Sequence, residues 1–414
     1  MQGAVRAADQ YTRPVTLAVD ELYWDPFDVD IDTNPYECWR RLRDEAPVYR
    51  NERYDFWALS RFADVQSASA DPKAFVSSRG TVLELMGSDM TNTTMIIFMD
   101  PPEHDSLRAL VSRAFTPKRV SALEEQIRQV CASLLDPFIG SGGFDYVQDF
   151  GAQLPSTVIS MLLGVPHSER KEVLHHIDTI FHIEPGVGMV NDISVMAQIW
   201  MMEYIAAKLE ERRVNPRDDL FTALVQAQIP DDDGGMRRLT DREAAAFGNL
   251  LVSAGTETVA RLLGWASVVL DAHPDQRAEL ARDRSLIPNA VEELLRFEAP
   301  SPVQGRWTSK PVELHGTTIP AESKVLLITG SAGRDERRYP DADRFDIHRE
   351  IGTHVTFGFG IHFCLGAALA RLEGRIALEE TLKRFPTWQV DHHRAERLHT
   401  STVRGWKSVP VSID

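Results

Sequence analysis

This sequence predicts a mainly α-helical fold with a smaller β-rich portion, and three observations carry that expectation. Apolar residues recur at helical spacing through most of the stretch from residue 118 to residue 297. Strand-like segments cluster late, after Pro302. No Gly/Ser-rich linker, low-complexity tract or repeat divides the 414 residues, and the one polar break, Ile229 to Gly235, is loop-sized. A single domain over 1–414 is expected, with 1–33 as an extended N-terminal segment.

The elements follow in order. Asn34-Pro35 offers an N-cap and a first helical position, and Pro47 ends the helix that follows. Val48 to Leu59 alternates as a hairpin does, and Arg61 to Ala70 returns to helical spacing. Ser77 to Asp100 carries Gly80, Gly87 and several threonines without a clean period, which predicts a long, irregular, functional loop. Pro101-Pro102 restarts a helix through Ala114, and further helices are predicted over 118–138, 152–163, 168–181 and 190–214. Glu184 to Gly188 reads either as the joint of a lid or as an ordinary helix turn. Thr240 and Glu243 form a capping box that opens a helix to about Ala272, ahead of His273-Pro274. Shorter helices reach Phe297. Strands are predicted at 302–308, 312–314, 324–328, 387–390 and in the C-terminal tail.

Composition narrows the function. A net charge of −16 disfavours nucleic acid and anionic membranes as partners. Cys38, Cys131 and Cys364 are few, odd in number and far apart, which argues for a reducing compartment and against a disulfide framework. Met1 to Asp20 holds no signal-type apolar core, so neither a membrane anchor nor export is expected, and the location is read as cytoplasmic.

The most informative stretch is Phe357 to Gly366, FGFGIHFCLG, a glycine-punctuated turn that delivers Cys364 to the start of a helix. A helix N-terminus there would favour a thiolate, the form that ligates iron. An isolated cysteine reads first as a buried structural thiol, and it is the ten-residue pattern that reverses this. On the long helix, Ala254-Gly255-Thr256-Glu257-Thr258 sets small residues, an acid and an alcohol where a buried helix gains little from them. They would serve either a small ligand lying against the helix or a solvated Glu beside threonines bonded back to carbonyls. Glu293 and Arg296 are neighbours at i and i+3, and His104 and Arg108 share a face after Pro101-Pro102.

Together these motifs resemble the cytochrome P-450 family, from about Pro35 to the C-terminus. The resemblance implies the P-450 fold, a triangular α-helical prism around a buried haem b with Cys364 as axial thiolate. It implies propionate binding by His104, Arg108, Arg306 and His362. Phe357 would flank the haem, and Ala254 and Gly255 would make room beside it. Thr258 would donate a hydrogen bond to oxygen, and Glu257 would relay protons. Glu293, Arg296 and Arg349 would form a structural ion-pair network. Substrate-facing positions would include Ile96, Ile97, Phe98, Leu250, Ser253, Ala254, Pro302, Val303, Thr402 and Val403, with Phe181 and His182 as a roof and Glu184 near it.

The implied activity is that of a stand-alone haem-thiolate monooxygenase, inserting one oxygen atom of O2 into a C–H bond of a hydrophobic fatty acid, steroid, terpenoid or similar molecule. Electrons would come from a ferredoxin and its reductase, docking on a basic proximal face built from Arg113, Lys118, Arg119, Arg371 and Arg375. A monomer is expected. Two alternatives stay open: a peroxide-driven peroxygenase, which needs no Glu257–Thr258 relay, and a haem-binding sensor or carrier, which needs no electron partner.

Overall fold

The computed structural model describes residues 22–87, 95–112, 115–180, 191–230 and 235–413. Helices dominate. The longest, Asp241–Ala272, has 32 residues and spans about 48 Å. Its start is fixed by the capping box: Thr240 Oγ1 accepts the N–H of Glu243 at 3.2 Å and Glu243 accepts the N–H of Thr240 at 2.7 Å. Arg237 grips the same carboxylate through two 2.8 Å bonds and pulls its pKa down to about 2.

This helix packs against Gln153–Leu163, Asp192–Val214 and the strand Arg404–Ser408. Glycines permit close approach at two places, Gly248 and Gly264. A Cβ on Gly248 would meet Ile205 at 3.0 Å, on Gly255 Ile159 at 3.4 Å, and on Gly264 Val147 at 3.1 Å. At 3.4 Å a Cβ on Gly255 would make only ordinary contact with Ile159, so packing does not require glycine there.

A five-stranded sheet gathers both ends of the sequence, in the order Val48–Asn51, Phe56–Leu59, Lys324–Leu327, Gln304–Thr308, Phe75–Val76. Phe56–Leu59 pairs parallel with Lys324–Leu327, which pairs antiparallel with Gln304–Thr308, so Arg306 sits opposite Val325 on a central strand.

The predicted elements recur with differences. The helix expected over 118–138 breaks into Pro117–Ser121 and Glu124–Leu135 followed by a 3-10 turn, and the first begins one residue earlier than expected. The helix after Asn34 begins at Tyr36 with Pro35 as its N-cap. The polar break at 229–235 lies partly within a small hairpin, Gln228–Pro230 with Met236–Arg238. Within the segment expected to be extended, Val29–Thr33 is helical, capped by Asp28. The helix after Pro101-Pro102 spans Glu103–Ser112. Among the described residues no helix is long and apolar enough to cross a membrane.

Candidate active site

The cysteine loop is built as a tight backbone turn. Gly358 and Gly360 both take φ of +72°, and a Cβ on Gly360 would strike the Ser69 carbonyl oxygen at 2.6 Å. The Cys364 N–H closes the turn on the Phe357 carbonyl at 2.8 Å. The helix Ala367–Arg384 begins immediately after, with Gly366 as its N-cap, and beyond its own chain neighbours nothing lies within 4 Å of where a Gly366 Cβ would be. Burial pushes the Cys364 thiol up, against the pull of the Gly366 N–H and the charges of Arg108 and Arg371. Desolvation is the largest of these influences, with the Gly366 N–H and the two arginines opposing it.

Beside this loop four nitrogen-bearing side chains converge. The His104 and His362 rings lie 4.4 Å apart, and Arg108 donates to the Phe363 carbonyl at 2.6 Å. Arg306 is buried, donates to its neighbour's carbonyl, Gly305 O, at 2.7 Å, and is driven down to about 10 by burial. Asp100 lends it some opposing charge, but the Asp100 oxygens accept the N–H groups of Ser77 at 2.8 Å and Ser78 at 3.1 Å. Neither Arg108 nor Arg306 has an ion-pair partner among the described residues. His362 is pushed down to about 3, first by burial and then by Arg306, His104 and Arg108. His104 is 1% exposed and its Nε2 has no partner. His104 Nδ1 bonds Asp105 at 2.9 Å and His362 Nε2 lies 3.1 Å from Ser77 Oγ, so the unmatched charge of the cluster is that of the two arginines.

The long helix presents one unburied stripe. Leu250, Ser253, Ala254, Glu257 and Thr258 all keep accessible surface, Ala254 the most, in a helix whose other positions around them are largely buried. The Thr258 hydroxyl donates to the Ala254 carbonyl at 3.1 Å and Thr256 to Val252 at 2.8 Å, the back-bonded arrangement. Glu257 is not solvated: Arg261, one turn on, reaches it at 3.0 Å and also donates to the Trp406 carbonyl. Arg261 was missed in the sequence, although its i, i+4 spacing from Glu257 was a readable signal.

Glu293 and Arg296 are both fully buried and bonded twice, at 2.6 and 2.7 Å. Arg349 reaches the same carboxylate at 3.1 Å, as does the Asp346 N–H at 3.0 Å. The remaining arginine donors are spent on carbonyls: Gly333 and Ala342 for Arg296, Pro340, Asp341 and Arg344 for Arg349. A buried ion network survives only when satisfied in this way.

The cytochrome P450 family model matches residues 50–410. The chain belongs to the cytochrome P450 family. It is 41% identical to cytochrome P450 123 of Mycobacterium tuberculosis (strain ATCC 25618 / H37Rv), over 96% of this chain and 99% of that one. It is 38% identical to the vitamin D(3) 25-hydroxylase of Pseudonocardia autotrophica, over 92% of this chain and 94% of the relative. The solved structure of the P450 CYP109Q5 from Chondromyces apiculatus superposes with a TM-score of 0.85 at 36% identity, covering 94% of this chain and 98% of that one. The fold is the mainly helical P450 fold, and the protein is a P450 monooxygenase that hydroxylates small molecules with a haem-thiolate cofactor.

The residues present fit that cofactor. The orphaned His104 Nε2, the unmatched charge of Arg108 and Arg306 and the open side of Gly366 suit a flat group carrying two carboxylates, and the Cys364 sulfur suits a metal. Other positions read from the sequence divide. Phe357 lies at the edge of the loop with Arg371 over its ring at 4.6 Å. Ile96 and Phe98 turn inward at 6% exposure whereas Ile97 stays open. Pro302 and Val303 are buried, Val303 in a cluster with Trp24, Trp39 and Trp307, while Thr402 and Val403 are half-buried. Phe181, His182, Glu184 and Arg113 lie outside the described residues.

The basic face requires correction. Arg371 is paired with Glu292 at 2.6 Å, and Arg375 with Glu124 at 2.8 Å and Glu379 at 2.9 Å. Glu292 and Glu124 are brought in by other helices, whereas Glu379 lies one turn along the same helix as Arg375. Lys118 and Arg119 remain exposed and without an ion pair among the described residues.

Proposed function

We propose that this P450 hydroxylates a C–H bond of a hydrophobic molecule, of fatty-acid, steroid, terpenoid or similar character. Its electrons would come from a separate ferredoxin and reductase, and the enzyme would work as a cytoplasmic monomer. The observation that carries the reading is the juxtaposition of Cys364 with the cluster of His104, Arg108, Arg306 and His362. The relatives lend support to the substrate class: one is named a vitamin D(3) 25-hydroxylase, and a P450 from Bacillus megaterium was solved with corticosterone.

In this reading Cys364 ligates iron, and the four donors hold the haem carboxylates. When bound, haem supplies the activation of O2 and the oxidising power for C–H cleavage. Ala254 leaves space on the open stripe of the long helix. Thr258 supplies the hydroxyl proton nearest that space, by turning from the Ala254 carbonyl. Glu257 feeds protons once it lets go of Arg261. The Glu293 network holds the segment before the cysteine loop in place.

A peroxide-driven reading has one observation in its favour: Thr258 and Glu257 are both engaged within their own helix. Two measurements decide. The reduced, carbon monoxide-bound protein should show the strongly red-shifted Soret band of thiolate ligation, lost in Cys364→Ala. A screen of hydrophobic compounds should then find ones that convert the iron from low to high spin and are hydroxylated with ferredoxin and O2. An intact red-shifted band in Cys364→Ala would overturn the ligand assignment, and turnover with peroxide alone would favour the peroxygenase.

A further inference from the structure

A buried hydroxyl beside the donor cluster has no part in the chemistry proposed so far. Ser77 directly follows the strand Phe75–Val76 and opens the stretch that runs to Asp100. That strand pairs with Gln304–Thr308, with Val76 opposite Trp307, so Ser77 stands at the edge of the strand that carries Arg306. Ser77 is 1% exposed, and its Oγ lies 3.1 Å from His362 Nε2. Among the described residues that hydroxyl has no other hydrogen-bond partner.

The backbone of Ser77 is held on both sides. Its N–H donates to Asp100 Oδ1 at 2.8 Å, and the Ser78 N–H donates to Asp100 Oδ2 at 3.1 Å, so one carboxylate clamps both residues. The Ser77 carbonyl accepts the Gly80 N–H at 3.0 Å. With N–H and carbonyl fixed, the hydroxyl retains only rotation about one bond, and it is turned to the imidazole. His362 needs such a partner. It ends the short 3-10 turn Gly360–His362, and the His104 ring packs beside it at 4.4 Å. Ring packing confines the plane of an imidazole but does not choose which nitrogen faces which way; a polar partner does. The Met99 carbonyl, near the other end of the same stretch, also draws on the ring.

We propose that Ser77 is a positioning residue of the haem site, acting through His362. The inference rests on the reading of His362 as a donor to a haem carboxylate. A hydroxyl both donates and accepts, so Ser77 holds the ring whichever tautomer it adopts. An imidazole oriented in advance meets a carboxylate without losing rotamer freedom at that moment, which slows release of the bound group. Asp100 joins at one remove, because its carboxylate fixes the Ser77 backbone and leaves the ring untouched.

The test uses the haem-loaded enzyme, with haem transfer to excess apomyoglobin reading the rate of loss. Ser77→Ala should lose haem roughly fivefold faster, the scale of one buried hydrogen bond. Ser78→Ala removes the adjacent hydroxyl and keeps both N–H bonds to Asp100, so it should stay within about 1.5-fold of the parent. In a His362→Phe background, where a ring remains without Nε2, Ser77→Ala should add no more than about 1.5-fold. A packing role for Ser77 would instead carry its full effect into that background. Should His362→Phe take up no haem, the comparison of Ser77→Ala with Ser78→Ala decides. An unchanged rate in Ser77→Ala, an equal acceleration in Ser78→Ala, or an undiminished effect of Ser77→Ala beside His362→Phe would overturn the proposal. The carbon monoxide band of the same samples keeps the two readings apart: its absence from the parent would refute haem-thiolate ligation, whereas the rates above bear on Ser77 alone.

Discussion

The His104 ring lies 4.4 Å from the His362 ring, inclined at 58°, with His104 Nε2 buried and unpartnered. The two rings brace each other, so the orphan nitrogen is aimed by packing and its loss can be separated from loss of the packing. His104→Phe keeps the aromatic contact and removes the donor. Haem should dissociate roughly tenfold faster from this variant, in line with about 1.5 kcal/mol for a hydrogen bond to a charged group. Haem transfer to an excess of apomyoglobin measures it. Unchanged loss rates would remove His104 from the haem-binding set.

Thr258→Ala tests the helix stripe. The variant loses a hydroxyl that now bonds only to the Ala254 carbonyl, so stability and substrate binding should change little. Product formed per reductant consumed should fall severalfold, with hydrogen peroxide making up the difference. Full coupling in the variant would assign Thr258 to the helix alone. Glu257→Gln should slow turnover through the same protons, and it also weakens the Arg261 pair, so thermal unfolding is measured beside it.

Glu373 gives a pH signature remote from the chemistry. Its side chain is 2% exposed, its Oε2 has no partner, and burial pushes its carboxyl from 4.5 up to about 8. The folded protein therefore holds a proton that the unfolded chain releases. The stability this brings is complete below about pH 4.5 and is lost progressively as pH rises to about 8. Glu373→Gln should flatten the decline in Tm across that window and unfold at a higher temperature than the parent near pH 8. Parallel Tm-against-pH curves would show that Glu373 does not titrate there.

Lys118 and Arg119 carry what remains of the basic docking face. Reversing both to Glu should slow ferredoxin-driven reduction severalfold at low ionic strength and much less at high salt. Reduction by dithionite should be unaffected. Stopped-flow spectra of the iron report both rates, and equal ferredoxin rates would move the docking surface elsewhere.

What the sequence disclosed was local. The capping box of Thr240 and Glu243, the glycines of the cysteine turn and the start of the hairpin at Val48 depend on neighbours in the chain and were readable there. What it hid depends on distant partners. Glu293 and Arg296 have the spacing of an ordinary surface pair, and their complete burial arises only when carbonyls from 333–344 close over them. Arg371 and Arg375 looked free because Glu292 and Glu124 belong to other helices. The π-helical stretch Tyr146–Gly151 and the short strands Gly143–Asp145 and Thr317–Ile319 carry too few residues to set a period.

The parallel pairing of Phe56–Leu59 with Lys324–Leu327 has a consequence for synthesis. As the ribosome extends the chain, the early hairpin emerges with one edge unmatched, and its natural neighbour is not translated until most of the helices have appeared. A nascent or truncated chain ending before Lys324 would therefore display a bare strand edge made of Phe56, Trp57, Ala58 and Leu59, able to pair with another such chain. Arg306 lies on the strand paired with the far side of Lys324–Leu327, and His362 and Cys364 follow both in the chain. Assembly of the haem-carboxylate cluster is thus tied to near-completion of translation, and C-terminal truncation should cost solubility before it costs any single contact.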